Sequence, residues 1–556
     1  MGHLRVKHPR FNLSLLFMLV MAAAAFSTRL LPLSISQYPF NNDSLMECEM
    51  ASEIVKTGHL SFSHESLLSQ THTAAMPIHN VVLAFIAQSL GVAPWQCAQF
   101  YGAVLAITTV CGLFLLGRLF SGSLAGGVAA GLSGAIMGTF VFTTGSLWKE
   151  TLGISLLVLA IFSYVRRSGI EFRILTFLLL TVMPFVHHLV AAVAFLLFSY
   201  LLAWSWFFAI STHAPKKRYI SDTVMIAVPI AVGGAYYLNV GLDNATSVIS
   251  GIGILLIISG FCLLSLIASV VLSMRSHSKW TYAPAVGAVL LTVIIMDFFG
   301  LVFPYSPSAS NYYLLLAIAF AFLVSLCWYG TELVLETRPL HRAVQLALFL
   351  SPVTIIGYGM IHGHSFEFQK IVYRSFDFFD FFIFLGIAVG VTELAARRRR
   401  FGPIVALLMV IALLISFPFG YYSAQLLGVR HDTQGYELDS IEWLANHAES
   451  PIVVATDERM AYITQATIDA HADPGLPQYL IDPQLFPNFL YYYVLEDSWT
   501  TLGVNNFPHG KLVLSQATYE QRLKASDVFY VGGPSNDRVV VFLASEMGSR
   551  SVYGNR

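Results

Sequence analysis

Charge is scarce in this 556-residue chain: Asp, Glu, Lys and Arg make up 11% of it, against roughly 25% in ordinary soluble proteins. So few ions cannot clothe a chain of this length in water. With 56% hydrophobic residues and a mean hydropathy of +0.67, most of it must be solvated by lipid. A basic excess is also missing. Thirty-one Lys and Arg against 32 Asp and Glu leave a formal net charge of -1, which excludes nucleic acid as a partner because nothing displaces its counterions. Cysteine is sparse too. The five cysteines form no C-x-x-C pair, so neither a zinc site nor a redox motif is indicated, and no motif supports a divalent metal as cofactor.

What the chain has instead is long apolar runs. Windows of about 20 apolar residues place spans near 11–33, 98–119, 124–144, 149–165, 172–186, 188–210, 222–240, 248–273, 282–302, 312–330, 343–361, 376–395 and 402–420. Arg5, Lys7 and Arg10 precede the first run. It reads as an uncleaved signal anchor, although Ala22 to Ala25 would offer small residues for cleavage. With the N-terminus inside, the predicted cytoplasmic loops collect Arg118, Arg166-Arg167, Lys216-Lys217-Arg218, Arg275, Lys279, Arg338, Arg342 and Arg397 to Arg400. The predicted outer loops carry only Lys56, Lys149, Lys370, Arg374 and scattered others, as the positive-inside rule requires. The expected fold is an all-α polytopic membrane protein of about 13 transmembrane helices in the cell membrane, with an external C-terminus.

The transmembrane part is expected over 1–420. Its first external loop, 34–97, holds two apolar-rich pieces. In Ser44 to Thr57, Met46, Met50 and Ile54 share one helical face, Glu49, Ser52, Glu53 and Lys56 gather on another, and Gly58 stops the helix. That piece is too polar to span and reads as interfacial. His79 to Val92 is too short to span and reads as re-entrant or membrane-surface. Cys48 and Cys97 share this loop, where a disulfide between them is open; Cys111, Cys262 and Cys327 are expected inside spans. Residues 421–556 have a mixed soluble pattern and read as a small external α/β C-terminal domain. Its helices are expected at Glu437–His447 and Glu458–Thr467 and its strands at Pro451–Thr456, Val528–Val531 and Val539–Leu543. Tyr479 to Leu495 is expected to pack on the membrane part.

An ionisable group at membrane depth is costly, so each is a functional candidate. Asp43 stands just outside the first span. It could cap the helix that follows, but Ser44-Leu45-Met46-Glu47 is itself a capping-box pattern and relieves it of that work. Glu150 lies at the outer end of the fourth span, either complementing a helix dipole or facing Asp43 across the same side of the membrane. His187-His188 occupies a tight outer turn, bonded to carbonyls or binding substrate. Asp297 lies about 9 Å inside its span, judged from helical rise, and must pair or line a wet cavity. Lys370 and Arg374, beside aromatics on the outer side, suit a lipid phosphate or snorkel to headgroups. Sequons stand at Asn244-Ala245-Thr246 and Asn42-Asp43-Ser44.

The order of these features resembles the GT-C superfamily of membrane glycosyltransferases, which includes protein O-mannosyltransferases, the lipid A aminoarabinose transferase and the oligosaccharyltransferase catalytic subunit. The likeness rests on Asn42-Asp43-Ser44 with Ala51 to Gly58 after one span, on Met76-Pro77-Ile78-His79-Asn80 leading to Leu90-Gly91-Val92, on Ser146-Leu147-Trp148-Lys149-Glu150, and on Tyr436-Glu437 to Trp443-Leu444. It is best over 11–210. The family's Asp-Glu pair is Asp43-Ser44 here, its double proline is reduced to Pro77, no Trp-Trp-Asp-Tyr-Gly stretch exists, and the second external loop has no Asp-x-Asp. Asparagine-linked transfer is therefore disfavoured. The resemblance implies transfer of a sugar, with inversion, from a polyprenyl-phosphate-linked donor to a protein, lipid or glycan acceptor on the outer face. It gives Asp43 the role of general base. Lys370 and Arg374 would meet the phosphate, with Lys149 behind them, and Glu150, His187, His188 and Asp297 would serve substrate binding. The competing classes are a transporter or lipid flippase using Asp297 and the histidines, and a non-enzymatic assembly subunit. Against the first, no half-chain repeats or matching broken spans are visible.

Overall fold

In the computed structural model the apolar runs are helices held at close range by glycine. The structure describes residues 13–60, 76–212, 216–240, 312–336, 339–361, 371–421 and 430–543, with breaks at 373, 398–399, 449–451, 469, 482–491, 507–509, 525 and 536–537. Asp297, Lys370, Cys262 and the Asn244 sequon lie outside the described residues, as do the expected spans 248–273 and 282–302. In chain order come α1 (Leu13–Leu30), α2 (Asn42–Thr57), α3 (Ile78–Leu90), α4 (Pro94–Ser121), α5 (Leu124–Ile136), α6 (Gly138–Gly145), α7 (Lys149–Val165), α8 (Ile170–Val182), α9 (His188–Thr212) and α10 (Lys216–Val240). The helices Tyr312–Leu335, Pro339–Ile361, Phe379–Arg397 and Gly402–Ser416 complete the apolar part.

Among the described residues, eight helices are long and apolar enough to cross a membrane, and α5 with α6 makes a ninth, bent by 62°. Eleven of the thirteen expected positions are therefore helical, but α7 (17 residues) and α8 (13 residues) fall short of a full span. One very close crossing joins Tyr312–Leu335 to Phe379–Arg397. A Cβ on Gly330 would lie 1.8 Å from the Gly386 carbonyl oxygen, so only glycine allows these backbones to meet, the usual device where lipid gives no hydrophobic drive between helices.

Buried polar bonds fix where the first loop leaves the bundle. Arg29, wholly buried near the end of α1, donates to the Ala135 and Gly134 carbonyls at 2.7 and 2.8 Å and to Thr144 Oγ1. These are free carbonyls at the C-terminus of α5, where a cation is favoured. Gln99 of α4 then links α1 to the loop: its amide donates to the Arg29 and Gly145 carbonyls and its oxygen accepts Phe40 N–H at 3.0 Å.

After residue 430 a five-stranded sheet forms in the order β2-β1-β3-β7-β6 from β1 (Val453–Ala455), β2 (His471–Asp473), β3 (Tyr492–Glu496), β6 (Asp527–Gly532) and β7 (Val539–Leu543). A separate pair joins β4 (Val504–Asn506) to β5 (Gly510–Leu512). The β1 strand is parallel to β2 and β3, whereas β7 is antiparallel to β3 and β6. Alternation sends Val494, Val539 and Val541 to one face with Ile441, Leu444, Met460 and Ile463, and Tyr493, Leu495 and Val540 to the other with Trp499 and Tyr519. The helices Gly435–His447 and Glu458–Thr467 stand where the sequence places them. Of the stretch Tyr479 to Leu495, residues 482–491 lie outside the described residues, and its described ends belong to the sheet region. Tyr492 onward is the central strand, and Tyr479 donates to Asp473 at 2.7 Å within the sheet region.

The α2 helix belongs to both parts. Leu45 enters the first of these sheet cores, while Cys48 and Ala51 pack with Leu83, Ala87 and Tyr101 of α3 and α4. The possible disulfide is not formed: Cys48 and Cys97 are free, buried thiols in that apolar cluster, and burial pushes the Cys48 thiol up. Cys327 is buried as expected and Cys111 is partly buried.

Candidate active site

Asp43 is held in place from behind. Asn41 has φ 80°, a conformation that costs a non-glycine residue about 1–3 kcal/mol and persists only where its surroundings impose it. They do so here: Asn41 N–H donates to the His431 carbonyl at 3.1 Å, and its side-chain oxygen accepts Asp43 N–H at 3.1 Å. Asn41 is thus the N-cap of α2. The expected capping box of Ser44 and Glu47 is absent because tertiary partners claim both. Ser44 Oγ donates to the Phe40 carbonyl at 2.6 Å and accepts Leu147 N–H at 3.1 Å, and Glu47 turns toward α3 and α7. Asp43 is still not the cap. The Gly58 stop is as expected, at φ 74°.

A buried layer lies beneath. Glu47 accepts from Asn80 Nδ2 at 2.5 Å and stands 3.7 Å from Lys149 Nζ, tying α2, α3 and the first turn of α7 together. Lys149, with 5% of its side chain exposed, is committed to this pair, which removes it as a cation for substrate. Glu150, the next residue, is also buried. Its Oε1 lies 3.7 Å from His187 Nδ1, and no described residue gives a hydrogen bond to either carboxyl oxygen. His187 accepts Val190 N–H at 3.4 Å. Burial, then neighbouring His188, depresses its pKa well below the usual range, so this approach joins a neutral ring to the carboxyl and is not an ion pair. His188 turns away to Met76 Sδ, 3.3 Å from its Nδ1.

The accessible layer is a pair. Arg374 Nη2 is 3.7 Å from Asp43 Oδ2, and 34% and 35% of their side chains are exposed. The guanidinium sits 5.4 Å from the Trp148 ring centre, a cation–π contact, and lies within electrostatic reach of Glu150 and Asp377. Asp377, in the short 3-10 turn Phe376–Phe378, is a site residue that the sequence reading misses, as are Glu47, Asn80 and Trp148. The cost of an acid at the mouth of a Phe-rich span could have flagged Asp377; nothing local marks the others. Of the expected site residues, the structure brings Asp43, Glu150, His187 and Arg374 together and leaves His188 at the edge.

The buried histidines set an acid limit. Burial holds His79 at about 3 and His431 at about 4, and His187 is depressed too. An unfolded chain protonates these rings near pH 6.5. Stability is therefore fully present above pH 6.5 and falls as pH drops toward the folded values. At pH 5, His79 alone is expected to cost roughly 2 kcal/mol relative to neutral pH. Melting curves at pH 7 and pH 5 check this: the pH dependence should be shallower in His79→Gln, and an equal dependence in both proteins contradicts the assignment.

No protein-family model and no curated protein matches the chain. Solved structures do match. The apo Archaeoglobus fulgidus oligosaccharyltransferase aligns with a TM-score of 0.56 at 12% identity over 98% of this chain and 78% of that one. The same protein tethered to an acceptor peptide containing the NVT sequon gives 0.55 at 12% identity over 97% and 77%. Its complex with Zn and sulfate gives 0.54 at 11% over 97% and 76%. Likeness at this identity is one of architecture: the chain shares the overall fold of this oligosaccharyltransferase.

Proposed function

We propose that the protein is a membrane glycosyltransferase that moves a sugar from a polyprenyl-phosphate-linked donor to a hydroxyl of a protein, lipid or glycan acceptor at the outer face of the membrane. The observation that carries this reading is the half-exposed Asp43–Arg374 pair backed by a buried polar layer. Arg374, joined by Lys370 four residues before it in sequence, takes the donor phosphate. Its planar fork suits two phosphate oxygens at once. Phosphate and Asp43 compete for one guanidinium, so donor binding frees the carboxylate. Asp43 then accepts the acceptor's proton as the acceptor oxygen bonds to the anomeric carbon. The bond from that carbon to the phosphate oxygen breaks, its electron pair stays with the phosphate, and Arg374 stabilises the charge that develops. No enzyme nucleophile intervenes, so the anomeric configuration inverts. Glu150 and His187 support the guanidinium from the buried side.

Binding of undecaprenyl phosphate to the purified protein in detergent tests the cation's role. Arg374→Gln is expected to weaken it about 10- to 100-fold, the worth of charge-assisted hydrogen bonds. Unchanged affinity would remove Arg374 from the site. A flippase would bind the lipid phosphate equally well, yet would release no sugar to any acceptor.

A further inference from the structure

Glu150, only 1% exposed, faces a lone pair. His187 stands one residue before α9, and its Nδ1 accepts the N–H of Val190, the third residue of that helix. A backbone N–H can only donate, so the ring caps the helix with an Nδ1 that carries no proton. Glu150 Oε1 is 3.7 Å from that same nitrogen. An ionised carboxylate there would point one lone pair at another. It would also be buried with no donor from any described residue on either oxygen, a state that carboxyl groups escape by keeping their proton. Arg374 does not relieve it: among the described residues its ion-pair partner is Asp43, and Glu150 lies only within its electrostatic reach. A carboxylic acid removes the conflict, because its O–H points at Nδ1 and no buried charge is left unpaired.

We propose that Glu150 acts as a neutral carboxylic acid whose neutrality sets donor affinity, because it leaves the charge of Arg374 to Asp43 and the donor phosphate. This rests on the phosphate reading of Arg374. The charged and titratable groups around Glu150 are Asp43 of α2, Arg374 and Asp377 ahead of the Phe379–Arg397 helix, His187 before α9, and Lys149 beside it, tied to Glu47. An ionised Glu150 would place a further negative charge behind the one guanidinium and repel the incoming phosphate.

Glu150→Gln keeps the shape, and its amide can donate to Nδ1 as the acid does, but it cannot ionise. Two measurements on the full-length protein in detergent use it. The infrared difference spectrum of wild type minus Glu150→Gln at pH 7 should contain the carbonyl band of a protonated carboxylic acid; a carboxylate band in its place overturns the inference. Undecaprenyl phosphate is then titrated at pH 7 and pH 9. Over that interval wild-type affinity is expected to fall about tenfold more than that of Glu150→Gln, the effect of one added charge roughly 10 Å away at an effective dielectric of about 20. Comparing the two proteins cancels the ionisation of the lipid phosphate itself and of Asp377. Parallel changes in both overturn the role in donor affinity. If wild type binds no undecaprenyl phosphate at either pH, the Arg374 reading fails and that role with it, while the infrared band still decides whether Glu150 is neutral.

Discussion

Asp43→Asn is expected to lower sugar transfer by about 10² to 10⁴, the usual worth of a positioned general base, without loss of fold. The helix start does not depend on the carboxylate: Asn41 caps α2, and Asp43 contributes only its backbone N–H to that cap. Affinity for undecaprenyl phosphate should hold or rise, because Arg374 loses the carboxylate 3.7 Å away that competes with phosphate. That opposite movement of binding and turnover separates a base from a structural residue, which would lose both. Single-turnover transfer and lipid-phosphate titration on the same preparation supply the two readings. Transfer at the wild-type rate would end the base assignment.

The second large effect is on stability. Arg459 is buried between Glu437 and Glu496 and also donates to the Asp432 carbonyl at 3.0 Å. Arg459→Met would leave two carboxylates buried beside each other with Arg430, 3.4 Å from Glu437, as remaining cation. Breaking such a group by removing one partner costs about 3–5 kcal/mol. The melting temperature should fall sharply, and Glu437→Gln added to Arg459→Met should recover part of the loss. By contrast Arg538, paired with Asp497 at 2.7 Å but with 43% of its side chain exposed, should cost no more than about 1 kcal/mol on replacement by alanine. Comparable losses at the two arginines would mean that burial does not govern the Arg459 cluster.

Much of the architecture is legible in the residues because lipid imposes long apolar runs, and those runs are helices at every described position. The sheet region is legible for a different reason: short β-branched stretches such as 539–541 alternate between two cores. Tyr492–Glu496 is misplaced because its aromatic content looks like a membrane-facing surface, whereas it supplies the strand that pairs with both β1 and β7. In the site, single costly ions at membrane depth point to Asp43, Glu150, His187 and Arg374. Partnerships are hidden. Glu47 looks like half of a local capping box, and only the fold shows that Asn80 and Lys149, 33 and 102 positions away in the chain, claim it instead.

A structure of the protein with undecaprenyl phosphate bound tests the central claim most directly. The account predicts the phosphate within hydrogen-bond distance of Arg374, with Asp43 released from that arginine and facing the space where an acceptor hydroxyl would enter. A phosphate bound elsewhere, or an Asp43–Arg374 pair left intact beside bound lipid, would contradict it.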